Sequence, residues 1–152
     1  MKSKSKVSIL LLIITSISLW GDFSRDNSGG VVLDNESKLE WQDSYMDSKI
    51  ERYTWQNALV YCEELTLNGS SDWRLPNMKE LKSIVDDSVA DPSLFSVFQS
   101  NASFDYWSST TSLYASDYAW YVTFSTGFDF WANKSSTRNN VRCVRGGVGS
   151  SI

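Results

Sequence analysis

Apolar residues fall at helical spacing between residues 54 and 85 and alternate between residues 118 and 132. Trp55, Ala58, Leu59, Cys62 and Leu65 recur at i, i+3, i+4, i+7 and i+10. That is one apolar stripe on a helix, with Thr54 as its cap. Asn68-Gly69 closes this unit. A second helix opens at Asn77, where Asn77-x-x-Glu80 has the form of a capping box. Met78, Leu81, Ile84 and Val85 give its inner face, and Pro76 fixes the approach. Residues 86–105 read as a loop with one short helical turn near Leu94, Phe95 and Phe98.

The last third of the chain reads as β. Tyr118, Trp120, Val122 and Phe124 alternate with Ala119, Tyr121 and Thr123. Phe128, Phe130 and Ala132 alternate with Asp129, Trp131 and Asn133. A three-residue Ser125-Thr126-Gly127 loop would pair Phe124 with Phe128 and Val122 with Phe130. It would also put Gly127 where a left-handed backbone is wanted. The same register sets Tyr121 opposite Trp131 on the second face. Earlier in the chain, Val31–Leu33 and Leu39–Trp41 read as strands around a turn at residues 34–37, after a break at Gly29-Gly30. Residues 43–53 read as polar loop. The final strand covers residues 140–145 with Val141 and Cys143 inward, and the end from Gly146 onward reads as frayed.

The first 21 residues have a different character. Lys2, Lys4 and Lys6 precede a thirteen-residue apolar run, Val7 to Leu19. This is the pattern of a signal peptide and is short for a membrane span. Small residues at Ser16, Ser18 and Gly21 suit cleavage near residues 19–22. The expected mature domain covers 22–147, with a tail at 148–152 and no membrane span. Losing three lysines and no acid takes the net charge from −4 to −7. That charge repels nucleic acid on average. Lys134, Arg138, Arg142 and Arg145 form a local basic run without acids, the one stretch suited to an anion.

The chain has two cysteines. In an exported protein an even count favours a disulfide. A Cys62–Cys143 bridge closes a loop of about 80 residues, worth about 4–5 kcal/mol in the chain-entropy model.

Five segments, in order, carry a resemblance. They are Asp34-Asn35…Leu39-Glu40-Trp41-Gln42-Asp43, then Trp55…Cys62, then Asp72-Trp73-Arg74-Leu75-Pro76…Glu80-Leu81, then Tyr106-Trp107-Ser108-Ser109, then Val141-Arg142-Cys143-Val144-Arg145. Over residues 23–147 the chain resembles the Lcl C-terminal domain family of mostly exported bacterial domains. The resemblance implies an α+β, C-type lectin-like fold, with two helices packed on a small, mostly antiparallel sheet. In such folds a disulfide joins the first helix to the last strand, the two places where Cys62 and Cys143 stand. The best-studied branch ends a collagen-like adhesin that binds sulfated polysaccharide. This chain has no Gly-x-y tract, so that setting does not carry over.

Candidate chemistry is sparse. There is no His, so the commonest general base and metal ligand is missing. Asp86-Asp87 and Glu63-Glu64 read as solvated neighbours rather than paired catalytic carboxylates. The calcium motifs of C-type lectins do not occur. Asp22, Asp26, Asn27 and Asp34 suit turns better than a calcium loop. No catalytic residue, metal or cofactor is therefore expected. Trp73, Arg74, Pro76 and Trp107 read as structural, with Arg74 fixing its turn through a carboxylate or carbonyls.

Residues 110–139 mix rigid aromatics with small hydroxyl and amide groups, a composition suited to recognition. The expected ligand face is Tyr114, Tyr118, Tyr121, Trp131, Lys134 and Arg138, for a glycan or protein ligand. Tyr118 joins it only if the strand begins after that residue. The leading expectation is an exported, non-catalytic binding or adhesion module. Two others stay open: an enzyme like the formylglycine-generating group, which needs reactive thiols, and a retroelement-diversified C-type lectin-like receptor. Oligomeric state, and periplasm against cell surface, are not set by the sequence.

Overall fold

The computed structural model describes residues 22–44, 52–99 and 104–147. The expected leader (1–21) and tail (148–152) lie outside the described residues, as do parts of the two loops at 43–53 and 86–105. In chain order the elements are β1 (Phe23–Asp26), β2 (Val31–Asp34), β3 (Leu39–Gln42), α1 (Trp55–Glu63), α2 (Met78–Ser83), β4 (Asp105–Thr111), β5 (Tyr118–Thr123), β6 (Asp129–Asn133) and β7 (Val144–Gly146). They form an α+β fold with two antiparallel sheets, ordered β1-β2-β3-β7 and β4-β5-β6.

Local chemistry explains the boundaries. Asp34 accepts from the Glu36 and Ser37 N–H groups and shapes the β2–β3 turn. Asp26 does the same for Ser28 and Gly29 between β1 and β2. Thr54 caps α1, and the apolar stripe buries Ala58 and Cys62. Asn77 and Glu80 close a reciprocal capping box on α2. Leu81 and the two residues after the helix, Ile84 and Val85, pack inward.

In the second sheet, β4 and β5 are packed on both sides. Tyr106, Val122 and Phe124 join Leu81 and Ile84 in one core cluster. Trp107, Ala119 and Cys143 join Ala58 and Cys62 in another. β4 therefore carries large aromatics at adjacent positions, one for each core. The Cys62–Cys143 disulfide lies in the second cluster and spans 81 positions of sequence. It ties α1 to the residue just before β7.

Three expectations are corrected. The β5–β6 register pairs Tyr121 with Phe130 and Trp120 with Trp131, one position away from the expected pairing. The turn spans four residues, with Thr123 O accepting from both Thr126 and Gly127. Gly127 (φ +74°) sits so near Val85 that a Cβ would lie 2.9 Å from Val85 Cγ1. Lys82 donates to Gly127 O and lies 3.4 Å from Asp129. The hairpin is thus anchored to α2 through Asp129, which stands opposite Val122 where Phe130 was expected. Second, Phe128, just before β6, and Phe130, on that edge strand, are exposed rather than core. Third, the last strand is Val144–Gly146. Gly146 pairs with Leu39, and Gly147 donates to Lys38 O, so this end is held. Val141 and Cys143 precede the strand.

Candidate functional site

The β5–β6 hairpin exposes aromatic groups on both faces. On the α2 side, Trp120 and Trp131 lie with ring centroids 5.2 Å apart, edge to face. Trp131 is 52% exposed. Tyr114, 87% exposed, stands 6.5 Å from Trp131 on the loop between β4 and β5. Tyr118, the first residue of β5, shares this face by parity and is also exposed. Leu113 beside Tyr114 is almost wholly in solvent. Of the expected face, the structure therefore groups Tyr114, Tyr118 and Trp131, and adds Trp120. It sends Tyr121 to the opposite face, where it contacts Trp107 and Phe130. Burial, and next the charge of Asp105, raise the Tyr121 hydroxyl above its ordinary pKa.

Lys134 is a strut. Its ammonium donates to Thr111 Oγ1 and Ser116 O, both at 2.8 Å, and lies 4.2 Å from the Trp55 ring centre. Those contacts bracket the 112–117 loop that carries Tyr114. Lys134 N also donates to Asp117 O, and Tyr118 N to Ala115 O. The loop is held from both ends. Arg138 is exposed.

The basic run does not form an anion patch. Arg142 is buried and pairs with Asp43. Arg145 reaches Asp72 and Glu40. Fold topology, invisible in a twelve-residue window, brings these acids in from other strands and loops.

The remaining motif residues hold the scaffold. Trp73 is buried, and its indole N–H donates to Leu67 O and Ser70 O. Arg74 makes a two-pronged pair with Glu80 at 2.8 and 2.7 Å. Pro76 is fully buried. Trp107 donates to Tyr53 O, Ser108 Oγ to Trp120 O, and Thr110 Oγ1 accepts from Met78 N at the start of α2.

A second concavity, about 240 Å³, opens beside the pairing of Asp105 with Thr123. Arg52, Asp105, Thr123, Ser125, Asn139 and Asn140 line it. The Arg52 guanidinium lies 5.2 Å from the centre of the Phe104 ring. Asn139 is 4% exposed, and its Nδ2 has no hydrogen-bond partner among the described residues. An unmet buried donor costs about 1–3 kcal/mol. No sequence pattern marked this cleft, because its residues come from four separated segments.

The sequence profile of the Lcl C-terminal domain matches residues 30–145. The chain belongs to that family. The match runs from Gly30, just before β2, to Arg145 in β7, so among the described elements only β1 lies ahead of it. Both aromatic faces, the cleft and the disulfide fall inside the Lcl C-terminal domain. No curated protein matches the chain. Among the described residues, no helix is long and apolar enough to cross a membrane.

Proposed function

We propose that this Lcl C-terminal domain is an exported, non-catalytic binding module that recognises a glycan through the Tyr114–Trp120–Trp131 face. One observation carries the reading. An exposed indole, Trp131, packed edge to face on the partly buried Trp120, and an exposed tyrosine, Tyr114, stand on a hairpin and a loop that are held at both ends. Exposed aromatic groups of this kind are costly in water and mark contact surfaces. Sugar rings stack on indole faces, and the exposed Ser116 of the neighbouring loop suits a sugar hydroxyl. The disulfide supports the rest: it leaves neither cysteine as a thiol nucleophile, and it is in keeping with an oxidising compartment.

We also read the architecture as C-type lectin-like. Its support is the link from α1 to the residue before the last strand, and a late hairpin that faces outward. A glycan array probed with the folded protein, beside Trp131→Ala, tests the function.

A further inference from the structure

We infer that the cleft beside Asp105 and Thr123 is a second binding site, which takes one neutral, hydroxyl-rich ring such as a single sugar residue. It shares no residue with the Trp120–Trp131 face and is tested separately from it.

The walls are fixed before any ligand arrives. Tyr53 and Asn139 exchange both backbone hydrogen bonds. Asn140 donates to Asp105 O from its backbone N at 2.9 Å and from Nδ2 at 3.1 Å. Phe124 N donates to Phe104 O. A cleft whose backbone is held in this way loses little freedom on binding.

Its chemistry selects the occupant. The lining pairs one cation with one carboxylate and fills in with amides and hydroxyls. An anion attracted by Arg52 also meets Asp105. A hydroxyl satisfies both kinds of group: it can give its proton to the Asp105 carboxylate and accept from the Arg52 guanidinium. The Thr123 and Ser125 hydroxyls lie 3.0 Å apart, so one donates to the other and one proton remains for a ligand. At about 240 Å³ the cleft is below the roughly 300–1,000 Å³ of pockets for drug-sized ligands, and admits one ring.

The test is a titration of the isotope-labelled protein with glucose, galactose, mannose and N-acetylglucosamine, with glycine and glucuronate alongside, followed by amide shifts. The expected result is saturable binding of at least one neutral sugar, with shifts at Asp105, Thr123 and Asn140. Arg52→Ala should weaken it about tenfold, and Val60→Ala, exposed on α1 away from both sites, should leave it unchanged. Arg52 is exposed, so its variant should fold. The inference is overturned if no neutral sugar saturates, if only glycine or glucuronate binds, or if sugar binding survives Arg52→Ala and is lost in Trp131→Ala. The last result would uphold the aromatic face while removing the cleft.

Discussion

Arg142 Nη1 donates to Asp43 Oδ1 at 2.9 Å, with side-chain exposures of 2% and 0%. The two residues stand 99 positions apart in sequence and lock β3 to the segment before β7. Arg25 pairs with the other carboxylate oxygen, which also accepts from Gln99 N. The Arg142 guanidinium further stacks 4.8 Å from the Phe98 ring centre and donates to Gln42 O. Burial pushes its pKa down from the ordinary arginine value. Removing Asp43 takes the carboxylate from Arg142 and Arg25 together, whereas removing Arg142 leaves Asp43 paired with Arg25. Asp43→Asn should cost about 3–5 kcal/mol and Arg142→Met less, read from urea unfolding. The double replacement should recover part of that loss, the signature of a coupled pair.

Much of the helical half was legible in the sequence. The Asn77–Glu80 box and the Thr54 cap are local chemistry, and local chemistry survives folding. Arg74 meeting a carboxylate followed from the same logic. The strands were harder. Tyr106 and Trp107 do not alternate, because β4 is buried on both faces and each side serves a separate core. The β5–β6 register lacked a clean polar face to fix it, because β6 exposes Phe130 on one face and Trp131 on the other. Register was set instead by Gly127 against Val85 and by Asp129 beside Lys82, contacts 42 and 47 residues apart. One position of slip moved Trp131 from beside Tyr121 to beside Trp120. The aromatic face was thus visible as a composition, but its membership was not.

The disulfide closes the longest covalent loop in the domain. Loop-closure entropy predicts that it contributes about 4–5 kcal/mol. Cys143→Ser, or reduction of the wild type, should lower the urea midpoint accordingly. Mass spectrometry of the alkylated, unreduced protein should find no free thiol.

Acid should weaken the start of α2. Burial alone would raise the Glu80 pKa, but the Arg74 bonds and the Asn77 N–H outweigh it, and the net shift is downward. A carboxylate held below its unfolded value contributes stability above that value and loses it as pH falls through the folded one. The loss should therefore begin below about pH 4.5, the ordinary glutamate value. Glu80→Gln should shrink the acid slope and cost no more than about 1 kcal/mol at neutral pH, since Arg74 is partly in solvent. Asp72, lowered chiefly by its bond from Arg145, keeps part of the slope in that variant.

Lys134 positions the ligand face without belonging to its surface. Lys134→Met removes the two anchors of the 112–117 loop, at Thr111 and Ser116. Faster hydrogen exchange in that loop is expected, with the Cys62–Cys143 core unchanged. Glycan binding should weaken with little change in its salt dependence, because this ammonium is engaged within the protein.

The glycan-binding reading is tested most directly by the affinity ratio of wild type to Trp131→Ala on the best array ligand. Trp131 is half-exposed, and its contact with Trp120 is worth about 0.5–1.5 kcal/mol, so the variant should fold. Truncating an aromatic anchor at a contact surface costs about 2 kcal/mol or more, a loss of roughly thirtyfold. The account predicts a loss of that size with an unchanged circular-dichroism spectrum. Wild-type affinity in a folded Trp131→Ala, for a glycan the wild type binds, would contradict it.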